Sequence, residues 1–262
     1  MKNIIVVTGA SSGLGVCFAK QLACEKPDEL WIVARRKSRL EEVKLAIEKE
    51  NSIFVKILPI DISGSEGARR LNSFFEEEKK QGDFRISVLV NNAGFGTYGE
   101  FADTDVSREM EMVDLNCTSL TGITGFALPY MDRGSRIINT ASLASFLPLG
   151  NFAVYGASKS FVLSFSVALA AEVKSRGISV TALCPGPVST EFANVASKGA
   201  RKNVRHGLSP EKTVEHAIKC SRKGRLYSMK FFKWKIQAWF SPFVDRYLGA
   251  WFTYKFCKRP SN

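Results

Sequence analysis

Apolar positions fall along the chain in two kinds of run that alternate. Asn3–Val7, Leu30–Ala34, Ile53–Ile60, Ile86–Val90, Arg136–Thr140 and Ile178–Cys184 are short and rich in β-branched residues. Such runs predict strands buried on both faces of a sheet. Between them lie longer segments whose apolar residues recur every three or four positions: Val16–Cys24, Ser38–Lys49, Gly64–Lys80, Asp105–Met131 and Phe152–Val173. That spacing predicts helices with one face on the sheet. Ser209-Pro210-Glu211 reads as a helix start, and Arg225–Met229 as a short last strand. Strands alternating with helices predict an α/β fold, a single doubly wound, mostly parallel sheet of about seven strands. No repeat, linker or low-complexity segment argues for a second independent domain.

Composition leaves this picture unchanged, and charge adds one asymmetry. Hydrophobic residues make up 45% and charged residues 24% of the 262-residue chain, ordinary for a globular protein. Lys and Arg exceed Asp and Glu by 37 to 25, a net +12. The first 195 residues hold 21 basic and 22 acidic side chains, whereas residues 196–262 hold 16 and 3. A chain neutral over three quarters of its length is not a nucleic-acid binder by bulk charge, so none is expected as partner. Met1-Lys2-Asn3 leads into an apolar run too short for a signal peptide. The six cysteines lack metal or CxxC spacing and read as free thiols in a reducing, cytoplasmic setting. His206 and His216 have no partners at ligand spacing, so no metal is expected.

Candidate chemistry sits where strands end. Thr8-Gly9-Ala10-Ser11-Ser12-Gly13-Leu14-Gly15 lies between the first strand and the first helix. Glycines there let backbone approach a pyrophosphate, whose charge the helix N-terminus stabilises. The second strand ends Ala34-Arg35-Arg36-Lys37. A dinucleotide fold that binds the ribose 2′-OH would carry an acid here, so Arg35 with Arg36 favours a 2′-phosphate and hence NADP over NAD. Asp61-Ile62 ends the third strand, within reach of an adenine edge, and Asn91-Asn92-Ala93-Gly94 ends the fourth. Asn116 is a polar residue inside the long Asp105–Met131 segment, able to hold a water or bend the helix.

Tyr155 and Lys159 are four apart, on one face of a helix and one turn from each other. A free phenol has a pKa of ~10, and a close cation lowers it by roughly 1–3 units. That suits proton exchange with an alcohol or carbonyl oxygen. Ser142 ends the preceding strand, facing that helix. Pro185-Gly186-Pro187-Val188-Ser189-Thr190 follows the sixth strand at its C-terminal end, where ligands sit in open α/β sheets.

Taken together, TGASSGLG, NNAG, Asn116, Ser142, YGASK and PGPVST over residues 1–228 resemble the short-chain dehydrogenase/reductase family in order and spacing. The resemblance implies a Rossmann-like fold and an NAD(P)-dependent oxidoreductase. It implies Tyr155 as acid/base, Lys159 lowering its pKa and holding the nicotinamide ribose, Ser142 holding the reacting oxygen and Asn116 anchoring a relay water. Gly9, Ser11, Ser12, Gly13, Leu14 and Gly15 would cradle the pyrophosphate, and Asp61 and Ile62 would flank adenine. Asn91, Ala93 and Gly94 would line the ribose and sheet edge, and Pro185, Gly186, Val188 and Thr190 the carboxamide end. It also implies a homodimer or homotetramer.

Residues 229–262 depart from the family pattern, which often ends in a glycine-rich segment between subunits. Phe240, Phe243, Val244, Tyr247, Leu248, Trp251 and Phe252 fall on one stripe of a helix, with Ser241-Pro242 as its expected start. One reading packs that stripe on the core or on a second subunit. The other lays it on a membrane surface, lysines near lipid headgroups. Phe95, Ala144, Phe146, Leu147, Leu149, Phe152, Phe192 and Val195 lie near the expected site. If they line a pocket, it favours a small apolar carbonyl or alcohol substrate. Lys198, Arg201, Lys202 and Arg205 sit in a loop that either steers an anion or forms a solvated lid.

Overall fold

In a computed structural model, residues 1–201 and 207–257 are described; Lys202, Arg205 and His206 lie outside them. The described residues form a seven-stranded parallel sheet in the order β3-β2-β1-β4-β5-β6-β7. The strands are β1 Lys2–Thr8, β2 Glu29–Val33, β3 Phe54–Leu58, β4 Phe84–Asn91, β5 Arg136–Thr140, β6 Ser179–Leu183 and β7 Tyr227–Ser228. The order reverses beside β1, which pairs with β2 on one edge and β4 on the other. The crevice at the C-terminal ends of β1 and β4 is therefore the switch point, where α/β sheets bind ligands.

Two helical layers cover the sheet. Helices α1 (Gly13–Ala23), α2 (Lys37–Glu50) and α8 (Pro210–Arg222) cover one face, burying Phe18, Leu22, Leu40, Ile47 and Val214 against Ile5 and Val7. Helices α3 (Gly64–Gln81), α5 (Leu120–Ala127) and α6 (Ala153–Glu172) cover the other, burying Leu71, Phe75, Ile123 and Leu169 against Ile4 and Val6. Neighbouring residues of β1 thus serve opposite faces, as the period of two requires. Each such large side chain contributes roughly 1.5–3 kcal/mol on burial. α6 is long and apolar enough to cross a membrane by length and composition. Here its apolar side lies on the sheet, burying Val162, Ser166 and Leu169.

Two elements differ from the sequence expectation. The segment expected as one helix over Asp105–Met131 divides into α4 (Val106–Val113), a π-helical turn over Asp114–Ser119 and α5. Asn116 sits in that turn, 1% exposed, and its side chain bonds the backbone of Phe95 in the loop after β4. The C-terminal stripe is not one helix either. α9 (Phe232–Phe240) and α10 (Arg246–Phe256) flank a 3-10 turn at Ser241–Phe243. Ser241-Pro242 makes the break, and Asp245 caps α10, its carboxylate accepting from the Leu248 N–H at 2.8 Å. The stripe does not pack on the core: Phe243, Tyr247 and Leu248 are 78, 74 and 61% exposed. Between α6 and these helices lies the short α7 (Phe192–Ala196).

Candidate active site

One cleft of about 1240 Å³ opens at the switch point. Its inner end is the glycine turn. Gly9 has φ +66°, and a Cβ at Gly15 would lie 2.1 Å from the Gly9 carbonyl oxygen, so only glycine lets α1 start this close to β1. Thr8 Oγ1 ties this turn to the end of β4, accepting from the Asn92 and Ala93 N–H groups at 3.0 and 3.1 Å. Gly9, Ser11, Ser12, Gly13 and Leu14 line the cleft, and Gly15 stands behind them.

Arg35, Arg36, Asp61 and Ile62 line the same end. Arg36 is engaged: it donates to Ser11 Oγ at 3.2 Å and lies 3.6 Å from the Glu191 carboxylate. Arg35 is exposed and has no such contact among the described residues. Asp61 holds its own turn, accepting from the Ser63 N–H at 3.0 Å.

Asn91 is placed elsewhere than expected. It is 4% exposed and points into the helix layer, donating to Thr124 Oγ1 and Asn139 Oδ1, both at 2.9 Å. Its neighbour Asn92 lines the cleft with Ala93 and Gly94 and donates to the Thr8 carbonyl at 3.1 Å. Successive strand residues face opposite sides, so the first asparagine is structural and the second meets the cleft.

Ser142, Tyr155 and Lys159 come together in the cleft. β5 ends at Thr140, which places Ser142 at the sheet edge, where its Oγ accepts from the Ala144 N–H at 3.1 Å. α6 brings Tyr155 and Lys159 to the same wall, with Lys159 Nζ 5.7 Å from the Tyr155 ring centroid. Lys159 is 5% exposed and donates to the Thr140 carbonyl at 2.7 Å. Burial lowers its pKa to about 8. Asn116 donates to the Phe95 carbonyl at 3.0 Å and Ser158 Oγ at 3.1 Å, and accepts from the Phe95 N–H at 3.1 Å. It joins the loop after β4 to the helix of Tyr155.

The phenol sits in an aromatic surround. Phe152 stacks on it at 4.1 Å and 15°, Phe192 lies at 5.4 Å, and Tyr98 meets Phe152 edge-on at 4.8 Å. Phe95, Ala144, Leu149 and Val195 also line the cleft. Phe146 packs instead in a small core with Val162 and Met229, and Leu147 lies under Gly249. Pro185, Gly186, Val188 and Thr190 also line the cleft, as do residues absent from the sequence reading: Tyr98, Arg108, Lys233, Trp234, Gln237 and Thr253.

A family model described as short chain dehydrogenase matches residues 3–201. The chain belongs to that family. It is 34% identical over 203 residues to a sulfoacetaldehyde reductase of Chromohalobacter salexigens, covering 76% of this chain and 78% of the relative. It is 32% identical over 220 residues to a very-long-chain 3-oxoacyl-CoA reductase of Anas platyrhynchos, covering 81% and 67%. A short-chain dehydrogenase from Sphingobium yanoikuyae, solved in complex with NADPH, superposes with a TM-score of 0.79 at 27% identity over 89% and 91% of the two chains. The protein is thus an oxidoreductase of the short-chain dehydrogenase family, with its Rossmann-like fold and a nicotinamide cofactor. The residues present fit that group: the glycine-only approach of α1 to β1 leaves room for phosphates, and the exposed Arg35 guanidinium lacks a carboxylate among the described residues.

Proposed function

We propose that the protein is an NADP(H)-linked reductase or dehydrogenase of an apolar carbonyl or alcohol, with Tyr155 as its acid/base. The observation that carries this is Tyr155 among aromatic rings in the cleft, one helical turn from a buried lysine and across from Ser142. The nicotinamide supplies or accepts the hydride when bound. Tyr155 Oη gives its proton to the carbonyl oxygen in reduction and takes it back in oxidation. The Lys159 ammonium favours the phenolate and so makes that proton available. Ser142 Oγ holds the reacting oxygen in line. Phe152, Phe192 and Tyr98 exclude water and receive the apolar body of the substrate. Asn116 orders the loop that carries Phe95 and the entry of α6. The NADPH-bound relative supports the cofactor, and the two reductases above support a carbonyl as the reacting group.

Arg35 reads the 2′-phosphate, and Arg36 braces the glycine turn from below. Arg35→Ala is expected to weaken NADPH binding roughly 10- to 100-fold, the worth of one or two charge-assisted hydrogen bonds. NADH binding should stay within about threefold. Titrating both cofactors against both proteins decides it; equal weakening of the two removes Arg35 from cofactor selection.

Two surfaces carry partners. A groove of about 800 Å³ lies between α3, α5 and α6 and is lined by Val113 and Phe161, 41 and 43% exposed; with the exposed Val106 and Met110 of α4 we assign it to a homodimer contact. The second is the outer face of α9 and α10, where Trp239, Phe243, Tyr247 and Phe256 are 68, 78, 74 and 66% exposed. Residues 229–262 hold seven basic side chains and one acid, Asp245. A two-fold contact of this face with itself would set like charges against each other, whereas an anionic lipid surface complements both rings and lysines. Anionic phospholipid vesicles should co-sediment the protein, and added salt should release it. A Trp239→Glu/Phe243→Glu/Trp251→Glu variant should lose the vesicles yet sediment as a dimer without them. Failure of the parent protein to bind such vesicles excludes the lipid face.

A further inference from the structure

Helix α9 buries only Ala238 and borders the cleft with part of its remaining surface. Phe232, Ile236, Trp239 and Phe240 face outward, 75, 41, 68 and 51% exposed. Lys233 and Gln237 are exposed as well and Trp234 is half-buried, and all three line the cleft. A covering helix turns apolar residues to the protein and polar ones to water. Here the row on the cleft offers an ammonium and an amide, with an indole ring beside them.

None of the three is engaged by a protein acceptor among the described residues. Trp234 Nε1 is buried and has no hydrogen-bond partner. Its ring lies on Gly186, so close that a Cβ there would meet Cε2 at 2.8 Å. Lys233 Nζ stands 4.4 Å from the Trp234 ring centroid, a cation resting on an aromatic face rather than on a carboxylate. The carboxylates that line the cleft are committed elsewhere. Glu111 pairs with Arg108 at 2.7 Å, Glu191 with Arg36 at 3.6 Å, and Asp61 caps its own turn at the opposite end. Arg201, over the Tyr98 ring at 5.8 Å, adds a second cation to the cleft wall. Trp234 Nε1 is turned against Gly186, which leaves its ring as the platform for Lys233, and an oxyanion is the ligand group that satisfies an ammonium and an amide N–H together.

The wall is also fixed relative to the reaction centre. The Gly150 N–H donates to Thr253 Oγ1 at 2.9 Å, and Asn151 Nδ2 donates to the Tyr254 carbonyl at 3.0 Å. Tyr254 Oη donates to Glu100 at 3.1 Å. The first two bonds pin α10 to the loop that ends in Phe152, the ring stacked on Tyr155, and the third ties it to the segment after β4.

We propose that the cleft side of α9, with Lys233 and Gln237 as donors and the Trp234 ring beside the ammonium, is a subsite for a carboxylate or similar oxyanion at the far end of the carbonyl substrate. The substrate is then an amphiphile: a carbonyl at Tyr155, an apolar body among Phe152, Phe192 and Tyr98, and an anionic end on α9. This rests on the reading of Tyr155 as the acid/base.

The test uses the full chain and two probes. A medium-chain oxo acid and its methyl ester carry the same carbonyl and differ in charge. The wild-type acid-to-ester ratio of kcat/KM is expected at roughly 10 to 100, the worth of charge-assisted hydrogen bonds, and near one in Lys233→Ala/Gln237→Leu. Octanoate binding, followed by tryptophan fluorescence with Trp234→Phe to assign the signal, reads the subsite without turnover. It should weaken at least tenfold in Lys233→Ala, and methyl octanoate should not compete. A wild type indifferent to the charge, or octanoate binding that ignores Lys233, overturns the subsite. Octanoate binding that follows Lys233 while no carbonyl is turned over instead overturns the reading of Tyr155 and leaves the subsite standing.

Discussion

Tyr155→Phe lowers turnover of the best ketone in a substrate panel by about 10²–10⁴-fold, the usual worth of a positioned acid/base. Phenylalanine is the informative replacement because it removes one oxygen and keeps the ring. The stack on Phe152 at 4.1 Å and the contact with Phe192 at 5.4 Å survive, so the cleft keeps its walls. The melting temperature should move little, and NADPH should bind within about threefold of wild type, since Arg35, the glycine turn and Lys159 remain. A loss confined to kcat and kcat/KM, with cofactor affinity preserved, marks an interaction made in the transition state. Water cannot replace the missing hydroxyl easily, because the surrounding rings leave it few polar partners. Turnover within tenfold of wild type would take the proton-transfer role away from Tyr155.

The parts of this molecule that were legible in the sequence are those where a local pattern dictates a local outcome. Ile4–Val7 and Leu30–Val33 are buried on both faces, and a continuous apolar run has no other stable home in a chain of alternating helices. Ser142, Tyr155 and Lys159 were legible because helix periodicity and a strand end fix their positions. Asn91 and Asn92 show the limit. They are adjacent and chemically identical, and only the register of β4 decides which one enters the helix layer. The π-helical turn at Asn116 was hidden because its reward is long-range: bonds to Phe95 and Ser158, distant in sequence. In the extension, the apolar stripe suggested one helix, but Pro242 and the Asp245 cap supplied a local stop that outweighed it. The donors on α9 were unreadable for a different reason. Lys233 and Gln237 are exposed, and only chain closure, which sets Trp234 against Gly186, brings them to the edge of the cleft.

Lys159→Met is expected to abolish activity and at the same time stabilise the cofactor-free protein at neutral pH. The two effects share a cause. Burial holds the Lys159 pKa at about 8, below the 10.5 of an unburied lysine. At pH 7 the folded protein still carries the ammonium, in surroundings that disfavour it. Each pKa unit is worth about 1.4 kcal/mol, so the charge costs roughly 3 kcal/mol of stability at that pH. The Thr140 carbonyl, which accepts from Nζ at 2.7 Å, loses its donor in the variant and returns about 1 kcal/mol of the gain. The net expectation is about 1–3 kcal/mol, several degrees in melting temperature for a chain of this size. The sign with pH follows from proton counting. Between about pH 8 and 10.5 the unfolded lysine still holds its proton while the folded one has released it, so wild-type stability rises across that window. The advantage of the methionine variant should therefore be full at pH 7 and shrink toward pH 10. Melting curves at both pH values, beside turnover at pH 7, test the account. A variant that melts below wild type at pH 7 would mean that Lys159 serves the fold first, and that its charge is not held there against the fold for the sake of the phenol.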